Sequence, residues 1–278
     1  MTVFPVAKIN LGLNVVERRP DGYHNLQTVF MPLAGLHDAL EVHTMDESFP
    51  SETDCDLKVT NMAIEGGEQT NLVVKAYRLL KEEFPTLPRV HAHLHKAIPM
   101  QAGMGGGSSD GAAMLALLND MFVLGLSKQQ LTDRAARLGA DCPFFILGHT
   151  AYAEGIGERL KPIELSVSGL TVVVVRPDIP VSTKEAFALI TPRRPQKNCC
   201  DILTGQPVET WRHDLANDFE RSVFAQHPEI AAVKERLYAK GALYAAMSGS
   251  GSAVFGLFRQ PPSLADDFSG MFVWKETL

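Results

Sequence analysis

Apolar and polar residues alternate from the first turns of the chain. "VFPVAKINLGLNVV", residues 3–16, has a period of two and many β-branched positions, which predicts a strand. "DGYHN" supplies a turn, and "LQTVFMPL" and "DALEVHTM" predict two further strands. The period changes after Thr70. In "TNLVVKAYRLLKEEF" the apolar positions 72, 73, 76, 79 and 80 form a helical stripe. "RVHAHLHKAIP" alternates again, as a strand leading into the glycine-rich stretch "PMQAGMGGGSSDGAAML", Pro99–Leu115. Beyond the glycines, Ala112, Ala113, Leu115, Ala116 and Leu118 define one helical face. "SKQQLTDRAARLG" predicts a second helix, with Ser127 and Gln130 at capping-box spacing and Gly139 placed to end it.

In the C-terminal half, "TVVVVRP" is a short apolar run suited to a buried strand. "TKEAFALI" and the stretch Asn217–Lys240 predict helices, the latter divided at His227-Pro228. "ALYAAMSGSGSAVFGLF" reads as two strands around a glycine turn, and "MFVWKE" as a last strand. Thr191–His213 carries prolines and basic residues without periodicity and is expected to be a surface loop. A soft boundary falls near Gly155–Ser168. Strands and helices mix without strict alternation, which predicts an α+β fold and not a doubly wound sheet.

Composition narrows the function classes. The 278 residues are 45% hydrophobic and 21% charged, ordinary for a globular chain of one large domain or two smaller ones. A net charge of -6 offers no general attraction to a phosphate backbone and argues against a nucleic-acid partner. The four cysteines, at positions 55, 142, 199 and 200, form no C-x-x-C pair. With no leader-like run and no stretch of ~18 apolar residues, a reduced, soluble, cytoplasmic protein without a membrane partner is expected.

The glycine-rich stretch is the strongest chemical signal. Glycines forfeit chain entropy and bring nothing to pack, so a run of them between a strand and a helix needs another purpose. Amides freed by small residues at a helix N-terminus, aligned with its dipole, make an anion site, and phosphate is the usual occupant. The two commonest phosphate loops do not fit. A P-loop needs a lysine after G-x-x-x-x-G, and the dinucleotide fingerprint fails because Ser108 stands at the third glycine position after Gly103 and Gly105.

Other polar positions stand out more weakly. Lys8, Asn10 and Asn14 share one strand face, opposite Ile9, Leu11 and Leu13, and spacing alone favours a face turned to solvent. Asp141 in "GADCPFF" follows a helix terminus within apolar sequence, where a loop or capping role competes with a catalytic one. Tyr23 and His24 offer a ring and an imidazole at a turn, suited to a nucleobase face and edge. His91, His93 and His95 share a strand face, but with no carboxylate or cysteine in the segment an exposed face explains them better than zinc.

Taken together these segments resemble the GHMP kinases. "PMQAGMGGGSSDGAA" is similar to their phosphate-loop pattern P-x-x-x-G-L-G-S-S, with Met104 where leucine is usual and Gly111 where alanine is usual. Gly111 is expected to cost up to about 1 kcal/mol of helix propensity and little else. "GADCPFF" resembles the family's G-A-D-V-P-F-F, with Cys142 read as packing, and "MSGSGSAVFGLF" resembles its third motif. "AKINLGLNVVERRPDGYHNLQTVF" matches the branch whose substrate is a cytidine diphosphate-linked methylerythritol. The likeness runs from Val6 to about Phe258, with gaps around Met45–Thr70 and Thr191–His213.

The resemblance implies a nucleotide-binding portion, residues 1–158, like domain 2 of ribosomal protein S5. It also implies a ferredoxin-like portion, residues 159–278, whose last strand can return to the first. ATP and Mg2+ are the implied cofactors, and the chain is a monomer or weak homodimer. Asp141 is implied as general base and Lys8 as the cation that keeps it ionised and stabilises developing charge. The implied phosphate cradle comprises Pro99, Met100, Gln101, Ala102, Gly103 and Met104, followed by Gly105, Gly106, Gly107, Ser108 and Ser109. Asn10, Tyr23 and His24 are implied substrate contacts, with Phe187 over the other face of the base. Asn217 and Asp218 are read as structural caps. Two rivals remain at this stage: a GHMP kinase of the homoserine or mevalonate type, and a catalytically silent sensor. The stretch "PDGYHNLQT" argues against the first, and retention of Lys8 and Asp141 against the second.

Overall fold

A computed structural model describes residues 1–46, 48–62 and 67–278. The chain divides into two compact units, each assembled from separated segments. The first takes residues 1–7, 33–98 and 105–148, and the second takes 8–32, 99–104 and 149–278.

In the first unit a four-stranded sheet has the order Thr2–Val3, Ala39–Thr44, Val90–His95, Cys55–Thr60. The last pair is parallel, with Cys55 opposite Val90 and Thr60 opposite His95. A parallel pair needs a crossover, and helix Leu72–Glu83 supplies it. Asn71 starts that helix by accepting from the Val73 amide at 2.8 Å. Along Val90–His95 the alternation works as its period requires. Val90, Ala92 and Leu94 enter the core, while His91 is half-buried and His93 and His95 face outward. The core joins Leu40, Val42 and Leu57 of the sheet to Tyr77 and Leu80 and to Met114, Leu115 and Leu118 of helix Gly106–Met121. Helices Lys128–Leu138 and Cys142–Leu147 complete the unit.

Gly111 does more than was expected of it. A Cβ there would lie 2.8 Å from Leu72 Cβ, so the missing side chain admits the start of the crossover helix. Its lost helix propensity is traded for that approach.

The second unit holds two antiparallel sheets. One has the order Val6–Arg18, His24–His37, Ala151–Gly155, Arg159–Pro162, and the other Tyr244–Met247, Val254–Phe258, Thr171–Arg176, Phe272–Thr277. Val172 to Val175 are fully buried, as their uninterrupted apolar run predicts. Val173 and Val175 pack with Phe219, Val223, Ile230, Val233 and Leu237 of helices Phe219–Gln226 and Pro228–Ala239. Pro228 takes the first helical position, where its missing N–H costs nothing, so the expected break at His227-Pro228 is observed.

One expectation is corrected here, and one left to spacing is decided. Thr191–His213 is not simply a surface loop. It contains the short helices Cys199–Gly205 and Trp211–Asp214, with Cys199, Ile202, Leu203 and Trp211 buried. The polar face of Val6–Arg18, which spacing alone would turn to solvent and the resemblance would not, is buried, with Lys8 and Asn10 3% and 2% exposed. Among the described residues no helix is long and apolar enough to cross a membrane.

Candidate active site

The second unit carries the first half of the glycine loop and the strand beside it. Lys8 Nζ donates to Asn10 Oδ1 at 2.6 Å and to the Gly103 carbonyl at 2.8 Å, and lies 5.0 Å from the centroid of the Phe30 ring. Asn10 Nδ2 donates to Thr28 Oγ1 at 3.0 Å, and Thr28 Oγ1 donates to the Gly12 carbonyl at 2.6 Å. Burial of these polar groups is thus met bond by bond, which is what makes an ammonium tolerable at this depth.

The loop itself is pinned through its carbonyls. Gln101 O accepts from Ser252 N, Ala102 O from Ala253 N, and Met104 O from Lys8 N, at 3.3, 3.2 and 3.0 Å. Gly103 O accepts from Ser248 Oγ at 2.9 Å as well as from Lys8. In a planar trans peptide the next N–H points opposite to the carbonyl, so the amides of Ala102, Gly103 and Met104 face away from this strand and turn. Gly103 is required twice over. Its φ is +70°, and a Cβ there would fall 1.9 Å from the Ser248 carbonyl oxygen. Asn217 holds the opposing glycine turn by donating to the Met247 and Gly249 carbonyls, both at 2.8 Å. Its Oδ1 accepts from Phe219 N at 2.9 Å, near the start of helix Phe219–Gln226, whereas Asp218 Oδ2 accepts from Val15 N at 2.7 Å and so holds the strand and does not cap the helix.

The first unit carries the rest of the loop. Gly105, at φ +70°, is the N-cap of helix Gly106–Met121, and no described side chain caps this start. The amides of its first turn therefore remain for an anion. Helix Cys142–Leu147 packs against helix Gly106–Met121, which brings the segment that follows Asp141 against the helix of the glycine loop. Asp141 stands at the N-cap position of Cys142–Leu147 and is half-buried, but its side chain makes no cap bond to the described amides. Cys142 is fully buried and burial pushes its thiol up to about 12, which fits packing and not nucleophilic chemistry.

Beneath the same helix start lies a charged group that sequence reasoning missed. Lys96 Nζ is bonded to Asp38 Oδ2 and, at 2.7 Å, to Asp110 Oδ2, and all three side chains are buried. Asp38 Oδ1 also accepts from the amides of Ala97 and Ile98, at 2.6 and 2.8 Å. Burial alone would lower the Lys96 pKa, but Asp110 and Asp38 outweigh it and the net shift is upward. Burial raises the Asp110 pKa, and Lys96 opposes that rise.

The residues of the predicted base pocket lie together. The Phe187 ring stacks directly on His24, centroids 4.5 Å apart and planes 20° apart, and meets Phe219 edge-on at 4.7 Å. Tyr23 stands 62% exposed, leaving its ring face open for a base. Burial, followed by the Arg18 charge, lowers the His24 pKa, so its imidazole is neutral at neutral pH and offers one donor and one acceptor.

Comparisons with known proteins agree with this geometry. The model of the GHMP kinases N terminal domain matches residues 71–149, and that of the GHMP kinases C terminal domain matches residues 206–270. A 4-diphosphocytidyl-2-C-methyl-D-erythritol kinase of Bacteroides fragilis is 50% identical, with 100% of each chain covered. The chain belongs to the GHMP kinases. A crystal structure of 4-(cytidine 5'-diphospho)-2C-methyl-D-erythritol kinase superposes with a TM-score of 0.80 at 34% identity, covering 99% of this chain and 98% of that one. Homoserine kinase from Cytophaga hutchinsonii superposes at 0.66 with 16% identity, over 98% of this chain and 94% of the other, a likeness of fold alone.

Within this GHMP kinase the sequence signals were uneven. Thr28 and Ser248 were missed because a hydroxyl in a strand or a glycine turn has no distinctive spacing. Asp110 sat inside the quoted phosphate motif, and a charge on an otherwise apolar helical face was a usable sign. The histidine strand behaves as expected, with His93 and His95 exposed and bonded to Thr60 Oγ1 at 2.9 and 3.2 Å. Asp56 of the adjacent strand meets His91 at 3.0 Å.

Proposed function

We propose that the chain transfers the γ-phosphoryl group of ATP to the 2-hydroxyl of 4-diphosphocytidyl-2-C-methyl-D-erythritol. The observation that carries this is the helix start at Gly105–Ser108, left-handed at Gly105 and without a described side-chain cap, with helix Cys142–Leu147, which Asp141 precedes, packed against the same helix. Full-length identity of 50% to a kinase named for that substrate supports it over the homoserine and mevalonate rivals.

In this reading Asp141 accepts the proton of the attacking hydroxyl, a poor nucleophile at neutral pH until a base is in place. Lys8, held in one orientation by Asn10 and Gly103, stabilises the negative charge that builds as the new bond forms. The amides of Ala102 to Ser108 hold the phosphates, so positioning and electrostatics do most of the work. Tyr23 stacks on the cytosine and His24 reads its edge. Phe187 braces His24 in the observed stack, and Asn10 acts on the substrate through Lys8.

Among the described residues no group of three or more His, Cys, Asp or Glu is arranged to hold a metal ion. Mg2+ fits nonetheless, because hard oxygen donors suffice when phosphates supply most of its ligands. Ser108, half-buried where Ser109 is buried, is the hydroxyl placed to join them. When bound, the ion neutralises charge on the transferred group. A cytoplasmic setting accords with four cysteines that are all free thiols; the chain acts as a monomer or weak homodimer in this reading.

A coupled ADP-release assay tests the reading. Turnover is expected with the cytidine diphosphate substrate and not with homoserine or mevalonate; the reverse pattern would transfer the chain to a rival. Asp141→Asn is expected to lower kcat by about 10²–10⁴-fold while the ADP dissociation constant stays within a few-fold. Near-full turnover in that variant would remove Asp141 from the base role.

A further inference from the structure

We propose that Lys96, clamped between Asp38 and Asp110, is a positioning residue that holds the first turn of the phosphate-loop helix in its nucleotide-binding geometry. The inference rests on the assignment of the glycine loop to ATP phosphates, and it concerns residues with no place in the chemistry described above.

A helix that offers its first amides to a ligand must do without a side-chain cap, and so loses the usual means of fixing its first turn. Helix Gly106–Met121 has this problem, since Gly105 at φ +70° begins it with no described cap. The fixing comes from below. A Cβ at Gly106 would sit 3.3 Å from Lys96 Nζ and 3.1 Å from Ile98 Cγ2, so the backbone of the first turn rests on the ammonium and its neighbour. Asp110, four residues after Gly106 and on the same helical face, holds Lys96 at 2.7 Å.

Asp38 closes the arrangement from the other side. Its Oδ2 binds Lys96, and its Oδ1 accepts the amides of Ala97 and Ile98, the residues immediately before Pro99. One ammonium therefore ties the chain that leads into the loop to the helix that leads out of it. Lys96 is further fixed through its own backbone, with its amide donating to Thr60 O at 3.1 Å and its carbonyl accepting from Asn61 Nδ2 at 2.6 Å. A plain stability role would be served as well by apolar side chains of similar volume. Asp110 Oδ1, which has no hydrogen-bond partner among the described residues, adds to the cost of keeping charge here. A rigid, directional brace under a phosphate site accounts for keeping it.

The test is ligand binding without the acceptor substrate. Dissociation constants for ADP and for adenosine are measured by calorimetry on the full chain, for wild type, Lys96→Met, Lys96→Arg and Asp110→Asn, beside thermal melts. A positioning role predicts that ADP binding weakens at least tenfold in Lys96→Met and about threefold in Asp110→Asn, with adenosine affinity unchanged and Lys96→Arg partly restoring ADP. Lower melting temperatures with an unchanged ratio of ADP to adenosine affinity would overturn the proposal and leave a structural role. Should Lys96→Met fail to fold, Lys96→Arg and Asp110→Asn decide by the same ratio. Wild type that binds no ADP would overturn the kinase reading itself, a result distinct from variants that bind ADP as wild type does.

Discussion

Two helices of the first unit begin in opposite ways. Helix Lys128–Leu138 starts with a full capping box: Ser127 Oγ accepts from Gln130 N at 3.3 Å, and Gln130 Oε1 accepts from Ser127 N at 2.9 Å. Helix Gly106–Met121 starts with a left-handed glycine and no described cap. The first is finished by its own side chains and needs nothing more. In the proposed reading the second keeps its amides for the phosphates and takes its rigidity from Lys96 underneath. One helix start is satisfied by its own side chains; in the proposed reading the other is left for a ligand.

The sharpest way to break this contrast is Gly105→Ser, which places the capping residue type of the first helix on the second. A non-glycine residue at φ +70° is strained by about 1–2 kcal/mol, and the new hydroxyl competes for the amides the phosphates use. ADP affinity is expected to fall about tenfold or more, equivalent to about 1.4 kcal/mol, read by calorimetry. Unchanged affinity would mean that the helix start is not the phosphate site. Gly111→Ala, further along the same helix, probes packing instead of binding. Up to about 1 kcal/mol of propensity gain is opposed by overpacking of about 1–3 kcal/mol against Leu72, so a lower melting temperature is expected. A rise would show that Leu72 moves aside easily. Ser127→Ala should have the smallest effect, a loss of about 0.5–1 kcal/mol in denaturant unfolding with kcat and KM unaltered. Any change in KM would tie this remote cap to the site.

Much of the fold could be read from period alone, because strands such as Val90–His95 and helices such as Lys128–Leu138 bury one regular face. Strand Val6–Arg18 shows where period stops helping. Alternation located it, yet spacing cannot distinguish a face turned to water from one bonded to a carbonyl 95 residues away, as Lys8 is to Gly103. Helices Cys199–Gly205 and Trp211–Asp214 are too short to display a period, so Trp211 was the only strong sign that their segment is buried. Strands Cys55–Thr60, Ala151–Gly155 and Arg159–Pro162 were not anticipated either. Of the site, the glycine loop carried its chemistry in its composition. The Lys96 clamp did not, since Asp38 lies 58 residues from its partner and only the fold joins them.

The interleaving of the two units bears on how the chain is made. The second unit needs residues 8–32, which leave the ribosome early, and residues 149–278, which leave last. At about 5–20 residues per second of synthesis, the hairpin Lys8–Pro32 waits on the order of ten seconds for strand Ala151–Gly155 to cover its open edge. The first unit is fully synthesised by Gly148, so once the chain has left the exit tunnel beyond that point its segments are complete beside an orphaned hairpin. Nascent chains of that length are where a chaperone holding extended apolar strands has the most to do.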